Sequence, residues 1–295
     1  MNVWLILLLF TESSLSFNIL TANFYIYPMI LLCFFTIFML LPFHFFYYNF
    51  RKGIIITLIK NIFPLGKNGV RFRDFMFGDI LTSLTRPFAT LCLSMCLLSC
   101  TKCRDQNISQ NCTRNSVKAL VLILSPFVIR FFQCLNRFYY TKMAWPHIGN
   151  AIKYLGGITF NLFSWMYAVH KQDYFYHFLI SACLANGYML FWDIYMDWNL
   201  ARNFSNNFFL RDKIVYPKWM YYFAIVTNSL LRMTWMTSLP GVNLYVNDET
   251  KVFILSILEI YRRSQWSLFR VENENTNNPE KYRTILDIPK LPIDD

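Results

Sequence analysis

Residues 219–238 read WMYYFAIVTNSLLRMTWMTS. The stretch is apolar and aromatic, with Arg232 as its one charge, and it has the length of about 20 residues that a helix needs to cross a bilayer. Arg232 sits well inside it, three residues before Trp235. An Arg at that depth is costly unless it faces a bundle interior and finds a partner. It needs a carboxylate, with Asp193 or Asp79 as candidates, or an anionic substrate. A guanidinium suits a tetrahedral oxyanion, because its planar fork donates two parallel hydrogen bonds.

Similar stretches recur on both sides. Eight can be read, at 3–20, 25–48, 79–100, 118–135, 151–169, 174–195, 219–238 and 250–268. The first is the weakest, interrupted by Glu12 and a Ser cluster; its lack of Lys or Arg before the apolar run argues against a signal peptide. Residues 53–65 (GIIITLIKNIFPL) are too short to span and read as an interfacial amphipathic helix. The composition agrees. Hydrophobic residues make up 55% and charged residues 15%, against about 45–50% and 25% in soluble domains. This excludes a disordered chain and leaves too little charge to cover an ordinary cytosolic enzyme. The fold class expected is therefore all-α: a polytopic transmembrane bundle of about eight spans. The net charge of +11 then reads as basic cytoplasmic loops or an anion path, not nucleic-acid binding.

The loops give an orientation. Loop 51–75 holds six basic residues (Arg51, Lys52, Lys60, Lys67, Arg71, Arg73), and loops 136–150 and 196–218 hold two and four. The opposite side holds three in 101–117, one in 170–173 and none in 239–249. Basic residues mark the cytoplasmic side, so both termini are expected there. The 101–117 loop carries two sequons, at Asn107 and Asn111, which places it in the lumen as the charges do; a third, at Asn203, falls on the cytoplasmic side and should be silent. Cys33, Cys92, Cys96, Cys134 and Cys183 lie in spans and read as packing residues. Cys100, Cys103 and Cys112 cluster at the lumenal loop, compatible with one disulfide in an oxidising compartment, Cys103 to Cys112 being the pairing expected.

Ionisable residues within or at the ends of spans mark a transport path. The core set has five cations (Arg130, Lys153, Arg232, Arg262, Arg263) and four carboxylates (Asp79, Asp193, Asp197, Glu259), with Arg86 a further charge of the same kind. Asp193 and Asp197, at i and i+4, should share a helix face; a span end or a metal pair are the competing readings. Glu259 can pair with Arg262 and Arg263 along one helix, where two adjacent Arg also read as a plain cytoplasmic anchor. The set suits an anion pathway with carboxylates holding the basic groups. The four His lie at span ends or in loops. No Walker A, GxSxG, HExxH or GxGxxG motif is present, so no enzyme, metal or cofactor is expected.

Six blocks carry a resemblance: GDILTSL (78–84), RFFQCLNRFYYTKMAWPHIGNAIKY (130–154), FWDIYMDWNL (191–200), FLRDKIVYP (209–217), LLRMTW (230–235) and LEIYRRSQWSLFRVENEN (258–275). In order and spacing they resemble the EXS domain, the membrane part of eukaryotic inorganic phosphate exporters, over roughly residues 40–275. The resemblance implies a phosphate path through a helical bundle. By matching position, Asp79 and Ser83 would lie near it; Arg130, Lys153, Tyr154, Arg232, Arg262 and Arg263 would coordinate phosphate. Asp193, Asp197 and Glu259 would fix the basic side chains, and Trp235 would help gate the outer exit. Thr82 stands where the family often has Asn, and Met143 where some members have a second basic residue. The chain has no room for the SPX sensor domain of many exporters and looks short of the first two spans of longer members. It is more similar to short Golgi members that return lumenal phosphate to the cytosol.

The organisation expected is two N-terminal spans (1–50), a basic cytoplasmic loop with an interfacial helix (51–78), an EXS core (79–270) and a polar cytoplasmic tail (271–295). The expected partners are inorganic phosphate and the lipid bilayer, with a homodimer and glycosyltransferase tails as further candidates and no nucleic acid. The location expected is the Golgi or plasma membrane. The competing function is a Golgi sorting or retention factor that docks glycosyltransferase tails on loops 51–75 and 196–218.

Overall fold

The computed structural model describes residues 26–43, 47–62, 72–99, 115–170, 173–201, 207–242 and 246–277. The expected span at 3–20, Asn107, Asn111, Asn203, Cys100, Cys103, Cys112 and the tail beyond 277 lie outside the described residues. The described chain is helical, with no strand. The helices are α1 (Ile26–Leu40), α2 (Tyr48–Ile62), α3 (Phe72–Leu81), α4 (Thr85–Ser99), α5 (Val117–Thr141), α6 (Ala144–Val169), α7 (Phe175–Phe191), α8 (Lys218–Arg232) and α9 (Asp248–Asn277). A π-turn, Trp192–Asp197, continues α7, and a 3-10 turn, Thr234–Ser238, follows α8. Among the described residues, two helical segments, Val117–Thr141 and Phe175–Asp197, are long and apolar enough to cross a membrane by length and composition.

Several expected boundaries change. The stretch 79–100 is not one span but two helices with a break at 82–84. Pro87 explains it, because its ring would clash with the carbonyl of Ser83 in a continuous helix, and the Thr82 hydroxyl donates to the Asp79 carbonyl at 2.8 Å. The expected loop 136–150 is mostly helix. Polar residues such as Gln133 and Arg137 are good helix formers, so α5 runs on to Thr141 and stops only where Lys142 turns left-handed (φ 57°), its N–H donating to the Phe138 carbonyl at 2.8 Å. At its other end Ser116 caps α5, accepting from the Ala119 N–H at 3.2 Å.

The expected interfacial helix is α2, and its polar side faces inward. Thr57 and Asn61, at i and i+4, are buried, while Phe50, Ile56 and Ile59 are exposed. Arg51, counted as a loop charge, is buried; it donates to the carbonyls of Phe38 (2.5 Å) and Phe43 (2.8 Å). The Phe38 carbonyl would take the N–H of residue 42 in a continuing helix, and Pro42 has none. The expected loop 196–218 also folds inward. Trp198, Leu200 and Leu210 pack with Tyr221, Trp266 and Phe269 into a buried core. The expected polar tail from 271 begins as helix: α9 runs to Asn277, and Glu272 accepts from the Arg211 side chain at 2.5 Å and from the Val215 N–H at 3.0 Å. Arg211 is thus committed internally rather than offered to a partner. Among the cysteines, Cys92 and Cys134 are free and buried as expected, whereas Cys33 and Cys183 are free but exposed, and Cys96 is disulfide-bonded rather than a packing residue.

The distribution of charge is inverted relative to a soluble protein. Arg130, Asp79 and Asp193 are each 1% exposed, while Leu184 and Leu230 are 70% and 66% exposed. Close helix contacts are built on glycines at two of these crossings. A Cβ on Gly78 would fall 2.4 Å from Arg130 Cδ and 3.1 Å from Asn61 Oδ1; one on Gly157 would fall 2.5 Å from two ring carbons of Phe127. Because the Arg130 side chain is held at both ends, Gly78→Ala is expected to cost about 1–3 kcal/mol, read as a lower unfolding temperature; an unchanged midpoint would show that Arg130 can yield.

Candidate functional site

A cavity of about 300 Å³ opens among α3 to α9, the π-turn and the 3-10 turn. The sequence-predicted residues Asp79, Ser83, Lys153, Tyr154, Asp193, Arg232, Trp235, Glu259, Arg262 and Arg263 all line it. Arg130 and Asp197 do not; they stand one layer behind it.

The helical spacing explains the assembly of one wall. Glu259, Arg262, Arg263 and Trp266 recur at i, i+3, i+4 and i+7 and share one face of α9. Arg262 Nη2 and Nε reach Glu259 at 2.6 and 2.8 Å. Arg263 Nε donates to the Ser83 hydroxyl at 2.6 Å and Nη2 to the Thr82 hydroxyl at 3.4 Å, with its guanidinium 4.7 Å from the Trp266 ring. Arg263 therefore ties α9 to the break between α3 and α4, through neutral partners only.

The buried carboxylates each organise a cation. Arg232 Nη2 and Nε donate to Asp193 Oδ2 at 2.6 and 3.0 Å, Asn228 Nδ2 donates to the same oxygen at 3.2 Å, and Arg262 Nη1 lies 3.7 Å away. Asp79 accepts from Arg130 Nε at 3.0 Å and from the Tyr154 hydroxyl. Arg130 also donates to Tyr154 (2.8 Å) and to Gln133 (2.5 Å), and Gln133 donates to Asn61 at 2.7 Å. Lys153 Nζ donates to Asp197 Oδ2 at 3.1 Å; the same oxygen accepts from Trp266 Nε1 at 3.1 Å, and Arg270 lies 3.7 Å from the other. Buried charges survive only when paired and hydrogen-bonded in this way.

The i, i+4 spacing predicts one shared helix face for Asp193 and Asp197. The π-turn instead separates their duties: Asp193 serves the cavity wall and Asp197 the layer behind. Both are engaged by cations, and among the described residues no group of three metal-ligating side chains forms. The residues that sequence reasoning passes over include Asn61, Gln133 and Asn228, the amides that bridge the ion pairs. The signal for each is a polar amide in or beside an apolar run. Thr82, Thr85 and Arg86 also line the cavity beside Ser83; in the sequence Arg86 reads as a charge near a span but not as a site residue.

Chemically, the cavity offers guanidinium and ammonium donors held in place by carboxylates, with hydroxyls interleaved. Such a lining suits a small tetrahedral oxyanion, because preoriented donors lose little freedom on binding it.

The family model described as the EXS family matches residues 1–276, beyond the 40–275 carried by the six blocks. The chain is 34% identical over 286 residues to the xenotropic and polytropic retrovirus receptor 1 homolog of Xenopus laevis, covering 90% of this chain and 41% of the relative. It is 32% identical over 292 residues to the human solute carrier family 53 member 1, covering 91% of this chain and 42% of the relative. Protein SYG1 of Saccharomyces cerevisiae is 32% identical over 257 residues, covering 81% of this chain and 28% of that protein. The chain thus spans about two-fifths or less of the length of these relatives.

Proposed function

Since the chain belongs to the EXS family, we propose that it is a membrane transporter that conducts inorganic phosphate through this cavity. One observation carries the reading: Arg263 fronts the cavity, and its side-chain hydrogen bonds go to the hydroxyls of Ser83 and Thr82, with no carboxylate in ion-pair range among the described residues. Its charge acts on Asp79 and Glu259 only at longer range, which leaves the guanidinium able to meet a substrate anion. The naming of one relative as a solute carrier and the inverted distribution of charge support the same reading.

The proposal places the helices as a polytopic bundle of about eight spans with both termini cytoplasmic, in the Golgi or plasma membrane. Phosphate is coordinated by Arg232, Arg262, Arg263, Lys153 and Tyr154, with Ser83 and Asp79 beside it. Asp193 and Glu259 hold the guanidinium groups that touch the anion. Arg130 and Asp197 act from behind, positioning Asp79, Tyr154 and Lys153. Several moderate sites in series let the anion enter without trapping it. No catalytic step is assigned.

The test is radiolabelled phosphate flux into proteoliposomes of the purified protein. Saturable flux above that of protein-free vesicles, with excess unlabelled phosphate competing, is expected. Flux no greater than that of empty vesicles, from folded protein, would overturn the proposal.

A further inference from the structure

Two amides in the cavity wall stand apart from the charged network. Asn161 on α6 and Asn186 on α7 both line the cavity, each within an apolar run, GITFNLFSW and ACLANGYML. Polar side chains inside such runs are costly and tend to mark a path. Each amide is held in one orientation: Asn161 Nδ2 donates to the Gly157 carbonyl at 2.8 Å and Asn186 Nδ2 to the Ala182 carbonyl at 2.9 Å. A carbonyl can only accept, so turning either amide over would set oxygen against oxygen. Each amide keeps one Nδ2 hydrogen and its Oδ1. The oxygen is what distinguishes ligands, because it can only accept. Neither Oδ1 is bonded to another described residue, and both keep accessible surface.

The two amides stand at different depths. Gly156 of α6 packs against α7, where a Cβ on it would fall 3.6 Å from the Ala185 Cα. Asn186, next to Ala185, is thus level with Gly156, and Asn161 lies five residues on, about 8 Å along the helix axis. Both levels lie on the same side of Lys153. An anion leaving the guanidinium groups in that direction meets the two acceptors in turn. The chemistry changes there. Guanidinium groups only donate, so they suit any small tetrahedral oxyanion, sulfate included. An amide oxygen repels an unprotonated oxyanion oxygen but accepts from a P–OH. Inorganic phosphate carries P–OH at neutral pH, whereas sulfate is fully deprotonated.

We propose that Asn161 and Asn186 are specificity-determining residues of the path: their Oδ1 atoms accept the P–OH hydrogens of hydrogen phosphate and dihydrogen phosphate, and disfavour oxyanions that carry no proton. The inference rests on the transport reading and names what that path selects. A site built to hydrogen-bond a substrate hydroxyl rejects the analogue lacking it, because its own polar group is then left unpaired. The guanidinium groups supply attraction and the amide oxygens supply the repulsive element that discrimination needs.

The experiment measures proteoliposome phosphate flux at neutral pH with sulfate or arsenate as competitor, in wild type, Asn161→Leu and Asn186→Leu. Leu keeps the shape of Asn and removes the acceptor. In wild type, arsenate, which carries As–OH, is expected to inhibit at concentrations near the phosphate KM, and sulfate only at concentrations about tenfold higher or more, the size of one hydrogen bond to a charged group. In each Leu variant the ratio of the sulfate inhibition constant to the phosphate KM is expected to fall about tenfold. General damage to the bundle would raise both constants together and leave the ratio unchanged. A ratio unchanged in the folded variants overturns the proposal, and so does wild type that sulfate inhibits as well as arsenate does, even where neither variant is recovered folded. Absent flux in the wild type would instead overturn the transport reading, and the selection with it.

Discussion

Arg263→Ala is expected to abolish most phosphate flux while leaving the protein folded. The guanidinium is bound to two hydroxyls and stacked on Trp266. Its removal strands no buried carboxylate, because the Ser83 and Thr82 hydroxyl oxygens that accept from it are neutral. What is lost is a bidentate, charge-assisted contact to the anion, worth about 3 kcal/mol, or roughly a hundredfold in rate. The check is proteoliposome flux beside a thermal melt in detergent. Near-normal flux through Arg263→Ala would remove the central cation from the mechanism. Arg232→Ala is a less clean probe: Arg232 holds Asp193 at 2.6 Å, so its loss is expected to lower stability along with flux.

The second large effect is on folding. Asp79→Asn preserves shape but removes the charge that neutralises Arg130, and both side chains are 1% exposed. Arg130 would then be a buried cation with only neutral partners in Tyr154 and Gln133. Breaking a buried pair from one side costs about 3–5 kcal/mol. The unfolding temperature should fall by many degrees, and Leu in place of Asp79 should be at least as damaging. A melt within a degree or two of wild type would show that the Arg130 network contributes little.

The residues of the site were legible in the sequence because their chemistry is out of place there. Arg232 inside an apolar run demands a partner, and of the two carboxylates considered, Asp193 is the one that meets it. Glu259 and Arg262 pair along α9 as their spacing requires. Depth within the site was not legible. Arg130 and Asp197 look like Arg232 and Asp193 in sequence, yet they sit behind the lining, bonded to the lining residues Tyr154 and Lys153. A π-turn cannot be read from FWDIYMDWNL, so the shared face expected for Asp193 and Asp197 assumes ordinary helix geometry.

The fold shows the same division. Apolar runs locate α5, α7 and α8 well, since length and hydropathy act locally. The break at 82–84 is signalled by Pro87 but hidden by the apolar residues on either side. Two segments that read as solvated, 196–218 and the start of the tail, are instead joined to each other by Arg211 and Glu272, which lie far apart in sequence. Counting basic residues treats Arg51 and Arg211 as topological markers; in the structure Arg51 is buried, Arg211 is half-buried, and both are hydrogen-bonded.

On the proposed function, phosphate occupies the cavity beside Ser83. Ser83→Cys, probed with a charged thiol reagent from water and compared with the parent protein's own cysteines, tests it most directly. The introduced thiol is expected to be labelled, and millimolar phosphate to slow the labelling, whereas chloride at equal ionic strength does not. A thiol at position 83 that never reacts in folded protein, or one labelled at the same rate with and without phosphate, would contradict it.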